Sequence, residues 1–363
     1  MWTLIICILG IISTLTAVYI TVKTRRLSII KRVSERHKFI GFLLSLLPVA
    51  AVSLFAFINY FTAMVVALHL FMGFVICDIA AFIVRKSLKK SFNYDIQIYS
   101  AILLTAVYLG IGWFMAHNIF VTEYTFYTDK DIGDNLRIVE IADSHLGITL
   151  DGKRFADQIN RVQGTDPDVV VIAGDFVDDD TKKQDMIEAC RALGKLNTTY
   201  GVYFVFGNHD EGYYNYRNFT SAELRRELNE NGVTVLEDES VLVDNEFYIV
   251  GRQDRSVPAR AEAVTLTENL DKSKYIVLLD HQPNDYENET KAKADLVLSG
   301  HTHGGHIFPA GLIGFAFGAN DRVYGTEVRN STTFVVTSGI SDWAIPFKTG
   351  TFSEYTVIDI KSK

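Results

Sequence analysis

The residues of this chain best suited to chemistry are gathered in Ser299-Gly300-His301-Thr302-His303-Gly304-Gly305-His306, where three of the nine histidines fall within six residues. A neutral imidazole is the commonest transition-metal ligand, and the glycines let backbone and ligand approach closely. The stretch follows Asp295-Leu296-Val297-Leu298, a short apolar run that reads as a buried strand. Residues two apart in a strand share a side, so His301 and His303 converge if the extended geometry persists. The bland alternative is a hairpin tip with solvated histidines. Partners elsewhere in the chain decide between the two.

Four more motifs have the same form, an apolar run ending in polar residues. Leu136–Ala142 leads into Asp143-Ser144-His145, and Asp168–Ala173 into Gly174-Asp175-Phe176-Val177-Asp178. Val202–Phe206 leads into Gly207-Asn208-His209-Asp210, and Tyr275–Leu279 into Asp280-His281. Singly, each could be a turn or a helix cap. Jointly they supply the mixed imidazole, carboxylate and amide ligands that two divalent metals require. A carboxylate can bridge two cations through its separate oxygens. Paired metals roughly 3.5–4 Å apart lower the pKa of a shared water and neutralise charge on a phosphoryl group.

The elements that must position these residues follow from the pattern. Helical candidates around Lys153–Val162, Lys183–Leu193 and Ser221–Leu228 alternate with the strands, which indicates α/β architecture. Ligands gather beyond strand ends in such sheets, so loops far apart in sequence are expected to meet over one edge. There is no internal repeat.

Before residue 126 the chain has a different character. The formal net charge of −8 divides unevenly: residues 1–125 carry eleven Lys/Arg against four Asp/Glu, and the remainder carries 24 against 39. An acidic globular part argues against a nucleic-acid partner. Cys7, Cys77 and Cys190 form no disulfide framework. The apolar runs predict four transmembrane helices at about 2–22, 39–58, 61–84 and 100–121. Asn59-Tyr60 marks the turn between the second and third, and Pro48 marks a kink. The seven Lys/Arg of Lys23–Lys38, with Arg85-Lys86 and Lys89-Lys90, assign the intervening loops to the cytoplasm. Four spans then place the second domain, residues 126–363, outside the cell membrane. His69 and Asp78 lie within the third run; the expectation for Asp78 is a pair with a base such as Arg85.

The ordered set Asp143-x-His145, Gly174-Asp175-x-x-Asp178, Gly207-Asn208-His209-Asp210, His281 and Gly300-His301-x-His303 resembles the calcineurin-like metallophosphoesterases over about residues 136–361. The resemblance implies a four-layer α/β/β/α sandwich with two central mixed sheets, here preceded by the helical membrane bundle. It implies one metal held by Asp143, His145, Asp175 and His303, and a second held by Asp175, Asn208, His281 and His301. Manganese is favoured, with iron or zinc as alternatives. His209 is implied as the group that assists the leaving oxygen, with Asp178 orienting it, while Asp210 reads as structural. Gly300–Gly305 followed by Ile307-x-Pro309 is similar to the bacterial membrane-linked branch that includes UDP-diacylglucosamine pyrophosphohydrolase-like enzymes, with His306 where that branch has Gln. Ser/Thr protein phosphatases carry Arg-Gly after the second Asp, whereas Asp179-Asp180 follow here.

The resulting expectation is a membrane-anchored, binuclear phosphohydrolase acting on phosphoesters or pyrophosphates of small molecules, lipids or envelope precursors. A membrane receptor or scaffold that uses the fold only to bind ligand is the alternative. Tyr213, Tyr214 and Tyr216, and separately Asp342-Trp343 with Pro346-Phe347, are candidate pocket walls.

Overall fold

The computed structural model describes residues 2–89, 93–133, 135–212 and 216–363, with side chains from Gly10 onward. Tyr213, Tyr214 and Lys90, singled out from the sequence, lie outside the described residues. The chain divides into two units, one running to Trp113 and the other Phe114–Lys363.

The first unit is helical: α1 (Trp2–Thr24), α2 (Ser28–Arg36), α3 (Lys38–Ser45), α4 (Leu47–Ser53), α5 (Tyr60–Leu88) and α6 (Tyr94–His117), the last running on into the second unit. Among the described residues, Lys38–Phe57, Tyr60–Leu88 and Tyr94–His117 are long and apolar enough to cross a membrane, and α1 contributes the shorter apolar stretch Gly10–Thr24. Pro48 sits in the first turn of α4, where its missing N–H costs little. Asn59 caps α5 by accepting from the Thr62 amide at 2.8 Å, which ends one apolar stretch and starts the next. Leu15, Phe57, Ile76 and Leu103 are exposed, an outward apolar surface suited to lipid rather than water. Asp78 does not pair with Arg85. Its carboxylate accepts from Lys23, Tyr19 and Gln97, while the Arg85 Nε donates to the Ala81 carbonyl one turn back on its own helix.

The second unit starts earlier than residue 126. Ile119-Phe120-Val121 reads as the end of a span by apolarity alone, yet the helix stops at His117 and β1 (Ile119–Thr128) begins. It pairs in parallel with β12 (Ser353–Ser362), so hydrogen bonding to a strand over 220 residues away decides its conformation. The remaining strands are β2 (Asn135–Ile141), β3 (Val169–Ala173), β4 (Val202–Val205), β5 (Val233–Val235), β6 (Glu239–Val243), β7 (Phe247–Gly251), β8 (Tyr275–Leu279), β9 (Leu296–Ser299), β10 (Gly325–Arg329) and β11 (Thr332–Val336). They form two mixed sheets, in the orders β1-β12-β2-β3-β4-β5 and β10-β11-β9-β8-β7-β6. The helices between them are α7 (Gly152–Gln163), α8 (Lys183–Leu193), α9 (Ser221–Glu230), α10 (Ala263–Thr267), α11 (Tyr286–Ala292) and α12 (Ala310–Ala316).

Strand alternation sorts the core into three layers of side chains. Val139, Val170, Ile172 and Phe204 face α7, α8 and α9. Ile138, Val171 and Val205 point the other way and meet Ile249, Val277 and Leu298 of the second sheet. Ile276, Leu278 and Val297 face α10 and α11. This is the four-layer α/β/β/α arrangement, and strands buried on both faces explain why their sequences are continuous apolar runs.

Candidate metal centre

β2, β3 and β4 are parallel neighbours in one sheet, and β8 and β9 are parallel neighbours in the other. Each of the five motifs follows the C-terminal end of one of these strands. The loops turn sharply there. Asp143, His145, Asp175, His301 and His303 all have positive φ, a conformation that costs an L-residue free energy and persists where surrounding bonds over-determine it. Those bonds cross between the sheets. The His301 amide donates to the Asp143 carboxylate at 3.0 Å, and His281 Nδ1 donates to the Ala173 carbonyl at 2.7 Å. Gly207 and Gly300 have no room for a side chain: a Cβ would lie 2.2 Å from Asp175 Oδ1 and 2.6 Å from Asp143 Oδ2 respectively. Backbone must pass that close for the carboxylates to reach the centre.

The extended geometry of β9 does not persist to His301 and His303. The strand stops at Ser299, both histidines take positive φ, and His303–Gly305 is a short 3-10 turn. The two imidazoles therefore part company. His303 joins Asp143 and His145; His301 joins Asp175 and His281; within each trio the candidate donor atoms all lie within 4.8 Å of one another. Asp175 also approaches the first trio, with Oδ2 at 3.5 Å from His145 Nε2 and 3.1 Å from His281 Nε2. Asn208 is buried beside this edge, its Oδ1 accepting from Gln282 Nε2 at 3.4 Å.

These contacts fit cations. Two donors bound ~2.1 Å from one ion at tetrahedral or octahedral angles lie roughly 3–3.5 Å apart, close to the separations just given. Both nitrogens of His145, Nε2 of His281 and Nδ1 of His303 are buried and make no hydrogen bond, an arrangement proteins otherwise avoid. Because the Ala173 carbonyl can only accept, His281 keeps a proton on Nδ1, and Nε2 is the nitrogen left to face a cation. Burial, with the charge of His281, pushes His301 down to about 4, and burial pushes His303 well below the usual range, which keeps both imidazoles neutral. Burial pushes the Asp143 carboxyl up, whereas Asp175, although burial opposes its charge, is held well below the usual range by His281 and His145. Although burial opposes it, Asp175 and Asp143 raise the imidazole pKa of His281 well above its usual range, a sign that these buried carboxylates call for positive charge between them.

A third trio, His145, Asp178 and His209, also meets the spacing for a metal. Here the carboxylate is already engaged: Asp178 Oδ1 accepts from His209 Nδ1 at 2.9 Å and from the Asp179 amide at 2.8 Å. Orientation of His209 is the better account, and burial notwithstanding, Asp178 raises the imidazole pKa. Asp210 is taken up by backbone amides. Its oxygens accept from the amides of Phe176, Val177 and Gly207 at 2.8–3.0 Å, tying two motif loops together.

Gln282, Asp254 and Lys348 carried no sequence signal of their own. Gln282 links Asn208 to the buried carboxylate of Asp254 at 2.9–3.0 Å. Lys348, fully buried, donates to the Ser338 carbonyl at 2.7 Å and stands 3.5 Å from Asp342, which His306 Nε2 approaches at 3.6 Å. Trp343 brings its ring to 5.7 Å from that of His209. Asp342-Trp343 is the pocket wall that the family resemblance implies near the metals. Lys348 was not legible, because a lone lysine ordinarily reads as solvent-exposed.

A two-sheet fold whose strand ends converge on carboxylates, imidazoles and an amide defines a metal-dependent hydrolase of phosphoesters. The model of the calcineurin-like phosphoesterase family matches residues 136–305. An uncharacterized metallophosphoesterase of Aquifex aeolicus is 30% identical over 253 residues, covering 67% of this chain and 92% of that protein. One of Campylobacter jejuni is 29% identical over 287 residues, with 76% and 73% covered. A Bos taurus protein named as a transmembrane protein with metallophosphoesterase domain is 28% identical over 301 residues, with 76% and 65% covered. The chain belongs to the calcineurin-like metallophosphoesterase family and is a phosphoesterase. The family uses a dimetal centre, and the His/Asp groups described above could hold it.

Proposed function

We propose that this chain is a binuclear phosphohydrolase anchored in the cell membrane by four helices, with its catalytic domain outside and its substrates among phosphorylated lipids, pyrophosphates or envelope precursors. The observation that carries the reading is Asp175, whose one carboxylate stands between His145 and His281 and so belongs to both ligand groups. Asp143, His145, Asp175 and His303 would hold one ion; Asp175, Asn208, His281 and His301 would hold the other. Two divalent cations there, manganese first, supply Lewis-acid charge for the phosphoryl group and lower the pKa of water.

The chain's own residues do the rest. Asp178 fixes the proton on His209 Nδ1, so Nε2 is the position that gives a proton to the departing oxygen. Trp343 walls this side and limits water around the leaving group. Asp210 holds the Asp175 and Asn208 loops in register, and Gln282 steadies the Asn208 amide.

The test is the purified full-length chain with added Mn²⁺, assayed on p-nitrophenyl phosphate, bis(p-nitrophenyl) phosphate and a panel of phosphorylated lipids, with metal counted by elemental analysis. Two metals per chain and turnover of at least one phosphoester are expected. Metal-loaded protein with no hydrolysis of any of them would favour a ligand-binding receptor instead.

A further inference from the structure

The segment that follows the last motif is exposed and apolar. Ile307–Ala319 contains no charged residue. Within it Phe308, Leu312, Ile313, Phe315 and Phe317 are 41%, 64%, 51%, 58% and 87% exposed. Beside α12 lies a cavity of about 380 Å³, lined by Gly304, Tyr324, Phe308, Leu312 and Phe315, with one charged residue, Arg322, whose guanidinium is engaged by the Tyr324 carbonyl and Glu327. A contiguous apolar surface of this kind on a water-soluble face marks an interaction site.

The position of this surface within the second unit identifies what covers it. Only Asn118 separates α6, one of the span-length helices, from β1, so the start of β1 is tied to the end of that span with almost no slack. Ser353 Oγ donates to the Ala116 carbonyl at 3.0 Å and fixes the helix end to β12. From there an aromatic chain leads to the cavity. Phe120 packs edge-on against Phe352 at 5.4 Å between centroids, and Phe352 packs against Tyr324 at 6.1 Å. The Phe308 amide donates to Thr349 Oγ1 at 3.0 Å, three residues before Phe352. The apolar segment therefore shares an edge of the domain with the point where the chain leaves its span.

From this we infer that α12 and its flanks are embedded in the lipid leaflet in which α6 ends, as a second, interfacial membrane contact of the catalytic domain. An uncharged apolar face beside a membrane tether is matched by acyl chains and not by an aqueous partner. The loop that carries His301 and His303 runs directly into this segment, so embedding it holds the metal centre at headgroup depth.

The test uses the full chain, cysteine-free except for one introduced residue, in phosphatidylcholine–phosphatidylglycerol vesicles containing doxyl-labelled lipid. An environment-sensitive fluorophore is placed at Leu312→Cys or, in a second variant, at Phe317→Cys. Tyr127→Cys is the aqueous reference, since Tyr127 is exposed near the far end of β1, about 23 Å along the strand from Phe120. Leu103→Cys, exposed on α6, reports the span itself. Blue-shifted emission at 312 and 317, quenched by doxyl lipid and protected from aqueous iodide, is expected, with the reverse at 127. Iodide quenching at 312 and 317 would overturn the assignment, and so would protection from both quenchers, which would mean that protein covers the segment. Water exposure at 103 would instead sink the span, and enzymatic turnover enters none of these readings.

Discussion

His281 and Asp175 face each other across the two sheets. His281 Nδ1 donates to the Ala173 carbonyl on the neighbouring sheet at 2.7 Å, and its Nε2 is thereby aimed at Asp175 Oδ2, 3.1 Å away. Asp175 Oδ1 is occupied by the His209 amide at 2.8 Å. One carboxylate thus joins both ligand groups and the backbone of the proposed acid.

Removing that carboxylate's charge should uncouple the whole centre. Asp175→Asn is nearly isosteric but gives up one of the two anionic oxygens, so metal content and activity should fall together. Elemental analysis of the desalted variant beside its rate with Mn²⁺ is the check. A variant that keeps two metals and loses only rate would remove Asp175 from the bridging position.

His209→Ala should separate chemistry from metal binding. Both ions should stay, while kcat falls by roughly 10²–10⁴-fold. The loss should shrink with p-nitrophenolate as leaving group, which departs without needing a proton. Equal losses on good and poor leaving groups would make His209 a phosphate contact and end its role as acid.

Arg252 supports the centre from behind. It is buried, with Nη1 at 3.0 Å from Asp280 and 2.7 Å from Asp285, and Asp280 immediately precedes His281. Arg252→Met should leave the Asp280 carboxylate short of charge and cost about 3 kcal/mol, somewhat buffered by Arg260, which also reaches Asp280 at 3.2 Å. A fall in Tm of roughly 6–12 °C in detergent is expected for a domain of this size. An unchanged Tm would show that Arg260 alone suffices.

The boundary of the catalytic domain is testable by truncation. A chain beginning at Asn118 keeps the whole of β1 and should fold with its metals. One beginning at Thr128 loses the parallel pairing of Ile119–Tyr127 with Ser353–Lys361 and leaves β12 as an open edge. Aggregation or a much lower Tm of the shorter chain is the expected result; equal stability of the two would make β1 dispensable.

The outward orientation depends on the span count. In intact cells an impermeant thiol reagent should label a cysteine at Tyr127 and spare one introduced between Arg25 and Lys38. The opposite pattern would place the domain in the cytoplasm with the four spans inverted, and labelling of both positions or of neither would put loop and domain on one side and overturn the three crossings between them.

The sequence by itself determined the strands that carry the motifs and the helices between them, because a strand buried on both faces must be continuously apolar and its polar ends then stand out. It determined the α/β class for the same reason. It also assigned the chemistry, since Asp, Asn and His recurring at five strand ends have few other uses. Where burial is set by partners distant in the chain, local pattern failed. Ile119-Phe120-Val121 looked like membrane, and only pairing with β12 made it a strand. Asp78 does take a basic partner, but helix packing makes it Lys23 of another helix, with Tyr19 and Gln97 beside it, and not Arg85 on its own. His301 and His303 looked convergent under a period of two. Positive φ at both, held by the Asp143 carboxylate and the following 3-10 turn, sent them to different trios. Lys348 and Gln282 were silent in the sequence because a polar side chain becomes part of a site only when the fold buries it beside a charge.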